Sequence, residues 1–208
     1  LIMAIISNGT TIADAGAFSA SLGSMTLIKT LTASNSANLS FVHGSSSVVL
    51  DSTYPLYMFK FINIHPASHT EFAFNTSIDS GSNYNVAKMT TTTSAYHGEG
   101  DQGGPNYYYI DEDLAQGTGV ARISGDIYTD NDSSMSGEMF LFSPSSTTFV
   151  KHFTSDTQRM DHSSTGYSNQ WKCAGYTNTT SAVNAIQFSM VTGNIASGTI
   201  KLYGIKDS

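Results

Sequence analysis

The chain holds a single cysteine, Cys173, so no disulfide within it can staple the fold. Charge is also scarce. Only 12% of the 208 residues are charged, about half the usual share. Lys and Arg number 9 against 16 Asp and Glu, a net charge of −7. Phosphate neutralisation drives nucleic-acid affinity, and so few scattered basic residues build no basic face for it. There is no polybasic segment for anionic lipid. No apolar run approaches the roughly 20 residues of a membrane-spanning helix. Apolar stripes with a 3.6-residue period and solenoid-length repeats are missing as well. The first residues lack the basic region of a signal peptide, so synthesis in a cytoplasm is expected.

What remains is apolar residues, at 39%, set among Ser, Thr, Asn and Gly. They alternate with polar residues at the two-residue period of half-buried strands. Residues 7–24 are small, polar and glycine-bearing, and residues 1–24 read as an N-terminal arm or loop. Residues 25–208 read as one β-sandwich domain. Met25, Leu27 and Leu31 share one strand face, with a turn at 33–36, and Leu39 and Phe41 alternate in the next strand. Residues 43–53 form a loop around Val48, Val49 and Leu50. The strongest strand signal is 56–62, with Tyr57, Phe59 and Phe61 on one face and Leu56, Met58, Lys60 and Ile62 on the other. Both faces carry apolar groups, which places this strand centrally, with its second face toward a partner. Phe72 and Phe74 start a further strand, and residues 79–83 form a turn. Four glycines and a proline make 97–106 a long exposed loop. Strand signals return at 135–142, 147–153, 170–177, 182–190 and 198–205. All-β architecture with Greek-key or jelly-roll winding follows, because that winding buries both sheets and protects their edges.

Reactive motifs are thin. His65, His69 and Glu71 lie close in sequence, but Pro66 opposes the helix that would let i and i+4 histidines share a metal. Asp130, Asp132 and Ser134 start like a calcium loop. Met135 then stands where that loop needs glycine, and Leu141 where it needs glutamate. There is no Gly-x-Ser-x-Gly elbow. The glycine-rich run 100–104 lacks the lysine and helix of a phosphate loop. Cys173 sits in a strand-like segment and reads as a small buried thiol. No cofactor, no metal and no enzyme activity are expected. Rings are plentiful, with 11 Tyr, 11 Phe and one Trp. The phenylalanines read as sandwich core. Tyr57, Tyr107, Tyr108, Tyr109, Tyr167 and Trp171 are candidates for an interface or a sugar-stacking platform, since aromatics are enriched at binding hot spots.

Residues 32–41 read TASNSANLSF, 50–54 LDSTY, 63–67 NIHPA and 198–205 GTIKLYGI. Together they resemble small jelly-roll virion proteins of tailed phages of marine bacteria, over roughly residues 27–67 and 135–205. The section 80–130 has no counterpart. The resemblance carries no catalytic residue. It implies a virion structural protein made in a host cytoplasm. The favoured expectation is a capsid decoration (cement) protein that bridges capsomers as a homo-oligomer such as a trimer. Its partners would be the major capsid protein and copies of itself, with no nucleic acid and no membrane. The arm at 7–24 and the face bearing Met58, Lys60 and Ile62 are the candidate contacts. The alternative is a receptor- or glycan-binding domain of a tail fibre, using Tyr107, Tyr108, Tyr109 or Trp171.

Overall fold

The computed structural model describes residues 5–7, 10–14, 17–18, 25–162 and 166–206. Three short N-terminal strands, β1 (Ile5–Ser7), β2 (Thr10–Asp14) and β3 (Ala17–Phe18), pair as an antiparallel sheet. The described part of the arm is therefore locally paired. The rest of the arm lies outside the described residues.

The main body begins with β4 (Met25–Ser36), β5 (Leu39–Val42), β6 (Leu56–Pro66) and β7 (Phe72–Ser77). Then come β8 (Lys88–Gly98), β9 (Gly103–Tyr108), β10 (Ala115–Gly117) and β11 (Ala121–Arg122). It closes with β12 (Met135–Phe142), β13 (Lys151–His162), β14 (Gly166–Thr177), β15 (Ala185–Met190) and β16 (Ile195–Ile205). They form two sheets. The larger runs β10-β8-β14-β13-β12-β6-β16-β4, with β9 against β8, and the smaller runs β11-β7-β15-β5. All pairings are antiparallel.

The strand order is that of a jelly roll. β4 pairs β16, β5 pairs β15, β6 pairs β12 and β7 pairs β11. The chain is thus one long antiparallel ribbon folded over once, and β16 joins β6 while β15 joins β7 to close it. Two excursions interrupt the ribbon: β8–β10 between β7 and β11, and β13–β14 between β12 and β15. Both add to the larger sheet beyond β12, and so widen it well past the small sheet.

The core follows this division. Under the jelly-roll half it is aromatic. Phe188 lies at its centre, with ring centroids 5.1 Å from Phe59, 5.2 Å from Phe61 and 5.9 Å from Phe72. Burying each such ring contributes roughly 1.5–3 kcal/mol. Under the added half, the inward residues are mixed: Thr90, Thr92, Ser94, Ser155, Thr157 and Asn169 lie among Phe153, Trp171 and Cys173, all buried. The segment after β9 bonds to two of these hydroxyls, while Thr92 Oγ1 and Ser155 Oγ are buried without a partner among the described residues. Thr90 Oγ1 accepts from Leu114 N at 2.7 Å, and Thr157 Oγ1 donates to Ile123 O at 2.6 Å.

Two lysines are wholly buried here, Lys88 and Lys151, flanking Thr177 across the sheet. Lys88 Nζ donates to Asn75 Oδ1 at 2.5 Å and Val86 O at 2.8 Å. Lys151 Nζ donates to Phe149 O at 2.9 Å and Thr179 O at 3.1 Å. Burial pulls the Lys88 ammonium down to about 8 and lowers that of Lys151.

Several sequence expectations change. The segment 97–106 is a hairpin instead of a long loop. Gly98 N donates to Gln102 O at 2.6 Å, Asp101 takes φ 64, and β9 starts at Gly103. The turn expected at 33–36 is strand, and it moves to 37–38, where the chain crosses between sheets. The strand expected over 147–153 is instead Lys151–His162. The expected 182–190 starts at Ala185, while 198–205 and 170–177 start earlier, at Ile195 and Gly166. Met25, Leu27 and Leu31 do not share a face. Leu202 pairs Lys29 but Tyr203 pairs Leu27, so Ile28 is an extra residue. A bulge of this kind reverses the side of everything before it. Leu31 packs on the core, whereas Met25 and Leu27 point out, 52% and 51% exposed.

Candidate functional site

Two regions could carry function. The first is the outer face of the larger sheet. Cross-strand partners share a face, so the registers build rows. Met25, Ile205, Leu56 and Phe142 form one row, and Leu27, Tyr203, Met58 and Phe140 form the next. Phe142 is 40% exposed. A charged row borders them, formed by Lys201, Lys60, Glu138, Asp156 and Lys172. Lys60 lies 3.8 Å from Glu138, and Lys172 lies 3.0 Å from Asp156. Both are half-exposed pairs that add little stability. Met58, Lys60 and Ile62 all lie on this outer face, in successive rows. Met58 is itself buried, so the exposed apolar surface belongs to residues that the sequence reading did not name for contact: Met25, Leu27 and Phe142.

The second region is a cleft of about 300 Å³ at the far end of the added half. Strands β8, β13 and β14 supply Tyr96, Arg159, Asp161, Tyr167 and Asn169, and loops supply Tyr109 and Tyr128. Tyr96 and Tyr167 meet edge to face at 5.6 Å. Tyr128 stacks on His69 at 4.0 Å, and Tyr109 leans on Trp171 at 5.1 Å. Arg159 is pinned by Asp161, 3.0 Å away, and by the Asp126 carbonyl. Its side chain is 7% exposed, and its Nε has no hydrogen-bond partner. Ser94 Oγ donates to Asn169 Oδ1 at 3.0 Å. Burial, then the carboxylates of Asp161 and Asp126, raise the Tyr128 phenol above its usual range.

The aromatic candidates therefore separate. Tyr57 is wholly buried in the core, its hydroxyl spent on the Asp51 carbonyl at 2.9 Å, and offers no platform. Tyr107 and Tyr108 are exposed on β9, outside the cleft. Tyr109 and Tyr167 line it. Trp171 is 4% exposed and supports Tyr109 from below the surface, so it is no open platform. Tyr96, Tyr128, Arg159 and Asn169 escaped the sequence reading, because they come from elements far apart in the chain.

The remaining motifs disperse. His65 Nδ1 lies 2.7 Å from Ser133 O, His69 stacks on Tyr128, and Glu71 meets Arg122 at 3.4 Å. Ser133 N donates to Asp130 O at 3.0 Å in a polar turn. Among the described residues no cluster of three His, Cys, Asp or Glu could hold a metal. Cys173 is buried, and burial pushes its thiol up to about 12. No helix among the described residues is long and apolar enough to cross a membrane.

No protein-family model matches the chain, and no curated protein matches it. Solved structures with some likeness come from infectious bursal disease virus. One is its VP2 subviral particle, at 10% identity and a TM-score of 0.16, covering 100% of this chain and 46% of that one. Another is the Gx strain structure, at 13% identity and a TM-score of 0.15, covering 100% and 47%. The chain spans about half the length of these chains. At such scores the likeness carries no weight for fold or function. The jelly-roll assignment rests on strand order alone.

Proposed function

We propose that the chain is a structural component of a virus particle, a capsid decoration protein that self-associates through the outer face of its larger sheet. The observation that carries this reading is the pair of apolar rows ending in Met25, Leu27 and Phe142, set beside a charged row. Such a dry centre with a polar border is the anatomy of a protein interface. At about 4.8 Å per strand and 3.3 Å per residue, the face measures on the order of 35 Å by 25 Å. That accommodates the roughly 800 Å² per partner of a stable interface. Low charge and a hydroxyl-rich surface agree with life on a particle. The motif resemblance at residues 32–41, 50–54, 63–67 and 198–205 supports the same reading. Binding and assembly, without catalysis, is then the whole task, with the major capsid protein as the second partner.

The test has two parts. In sedimentation velocity, wild type should run as an oligomer, and the double variant Leu27→Asp, Phe142→Asp as a folded monomer. Cryo-electron microscopy of the particle should place this chain in icosahedral order over the shell. Density confined to the tail or its fibres would overturn the decoration assignment. An oligomer untouched by the double variant would remove the outer face from it.

A further inference from the structure

We infer that the cleft between Tyr96, Tyr109, Tyr128 and Tyr167 is a binding site for a neutral saccharide, one or two pyranose units in size. The inference rests on this cleft alone and holds whether the chain is carried on a capsid or on a tail.

The cleft is built in the way a sugar requires. A pyranose offers a face of C–H groups and a rim of hydroxyls. The first is met by aromatic faces and the second by fixed donors and acceptors. Tyrosine supplies both in one side chain, a broad apolar ring with a polar tip. Each ring is held from behind or beside: Tyr109 by Trp171, Tyr128 by His69, and Tyr96 and Tyr167 by each other. The platforms are therefore set before a ligand arrives, which limits the ordering cost of binding.

The polar groups on the wall are fixed but keep capacity to spare. Buried polar atoms are almost always paired within a fold, and exceptions ask for an explanation. Arg159 Nε is buried without a partner, although the same guanidinium is fixed by Asp161 and the Asp126 carbonyl. Asn169 accepts the Ser94 hydroxyl at its carbonyl oxygen, 3.0 Å away, which fixes the amide on the cleft wall. Asp161 has a second carboxylate oxygen to accept a hydroxyl. An arginine, an amide and a carboxylate line one small space, and ligand sites are recognised by such convergence of polar groups.

Charge selects among ligands. The one cation, Arg159, is paired with Asp161, and Asp126 stands beside it. No free positive charge is left on the cleft wall for a phosphate, a sulfate or a sugar acid, and the net charge of the chain is −7. Stacked bases of a nucleic acid would need a basic track along the backbone, and none borders the cleft. The volume of about 300 Å³ stands at the lower end for small-ligand pockets and suits a short neutral glycan.

The experiment is saturation-transfer-difference NMR on the full chain. Its probes are glucose, galactose, mannose, N-acetylglucosamine and their disaccharides, with glucuronic acid and a short oligonucleotide as charged comparisons. At least one neutral sugar should bind at millimolar strength, and Tyr109→Ala should weaken it roughly 5- to 150-fold, the range measured for removing a ring that stacks on a nucleobase. Tyr109→Phe keeps the ring and should retain most of the affinity, which separates loss of the platform from loss of the fold. Tyr107→Ala, outside the cleft, should change nothing. Silence from every neutral sugar, binding confined to the charged probes, or a neutral sugar indifferent to Tyr109→Ala would each overturn the assignment.

Discussion

Replacing Lys88 by methionine should stabilise the protein at neutral pH and destabilise it in alkali. In the fold this ammonium is wholly buried, and no carboxylate pairs with it among the described residues. Burial lowers its pKa from 10.5 to about 8. A base whose pKa falls on folding makes the unfolded chain hold more protons, so stability rises with pH between those two values. Below pH 8 the whole cost is present. Two and a half units at ~1.36 kcal/mol each amount to about 3 kcal/mol. Methionine removes that cost but leaves the Val86 carbonyl without its partner, which costs about 1 kcal/mol. Asn75 Oδ1 keeps the hydrogen bond donated by Thr76 N at 2.9 Å. The net expectation at pH 7 is a gain of about 2 kcal/mol, shrinking with pH and changing sign near pH ~10. Urea denaturation followed by the fluorescence of Trp171, the sole tryptophan, measures both proteins at each pH. The difference between them isolates Lys88 from Tyr57 and Cys173, whose raised values act in the opposite direction. A variant less stable than wild type at pH 7, or a difference that is flat with pH, would refute the reasoning.

Two further outcomes follow from the packing and the turns. Phe188→Ala removes the ring at the centre of the aromatic core and should cost about 3–5 kcal/mol in the same denaturation assay. Asp79 is held at about 2 by hydrogen bonds from Ser77 Oγ and then from Asn83. A lowered carboxylate stabilises above its unfolded value and loses that effect as pH falls through the folded one. The amide of Asn83 should therefore stay protected from hydrogen exchange, relative to a free peptide, down to pH 4 and lose protection between pH 4 and 2. Asp79→Asn should abolish that pH step.

The sequence exposed the jelly-roll half better than the added half, for a physical reason. Strand β12 is Met135–Phe142 as expected, and β6 divides its faces as expected, because apolar residues alternate there with polar ones. In β8 the buried positions are Lys88, Thr90, Thr92 and Ser94. In β13 they include Ser155, Thr157 and Arg159. A strand whose inward face carries hydroxyls and charge shows no apolar period, so the sequence carries no strand signal for β8 and its signal at 147–153 precedes most of β13. The bulge at Ile28 left no local mark, since only pairing with β16 reveals an extra residue. The cleft was half visible. Tyr109 and Tyr167 stood out as aromatic, but Arg159 and Asn169 join them only through the sheet register that sets β13, β14 and β8 side by side.

The place of β16 has a consequence for how the protein comes to exist. Among the described strands this one comes last in chain order, yet it lies between β4 and β6, two of the earlier ones. While the chain is being made, β12 can join one edge of β6, but the other edge of β6 and the whole of β4 wait until Ile195–Ile205 has followed. Sheets completed by distant pairing form slowly and leave edges free to capture other chains meanwhile. The 11 residues of β16 therefore act as the closing event of folding. A chain cut short before Ile195 would keep the smaller sheet and the run from β10 to β6 of the larger one, but would leave β4 with no strand to join.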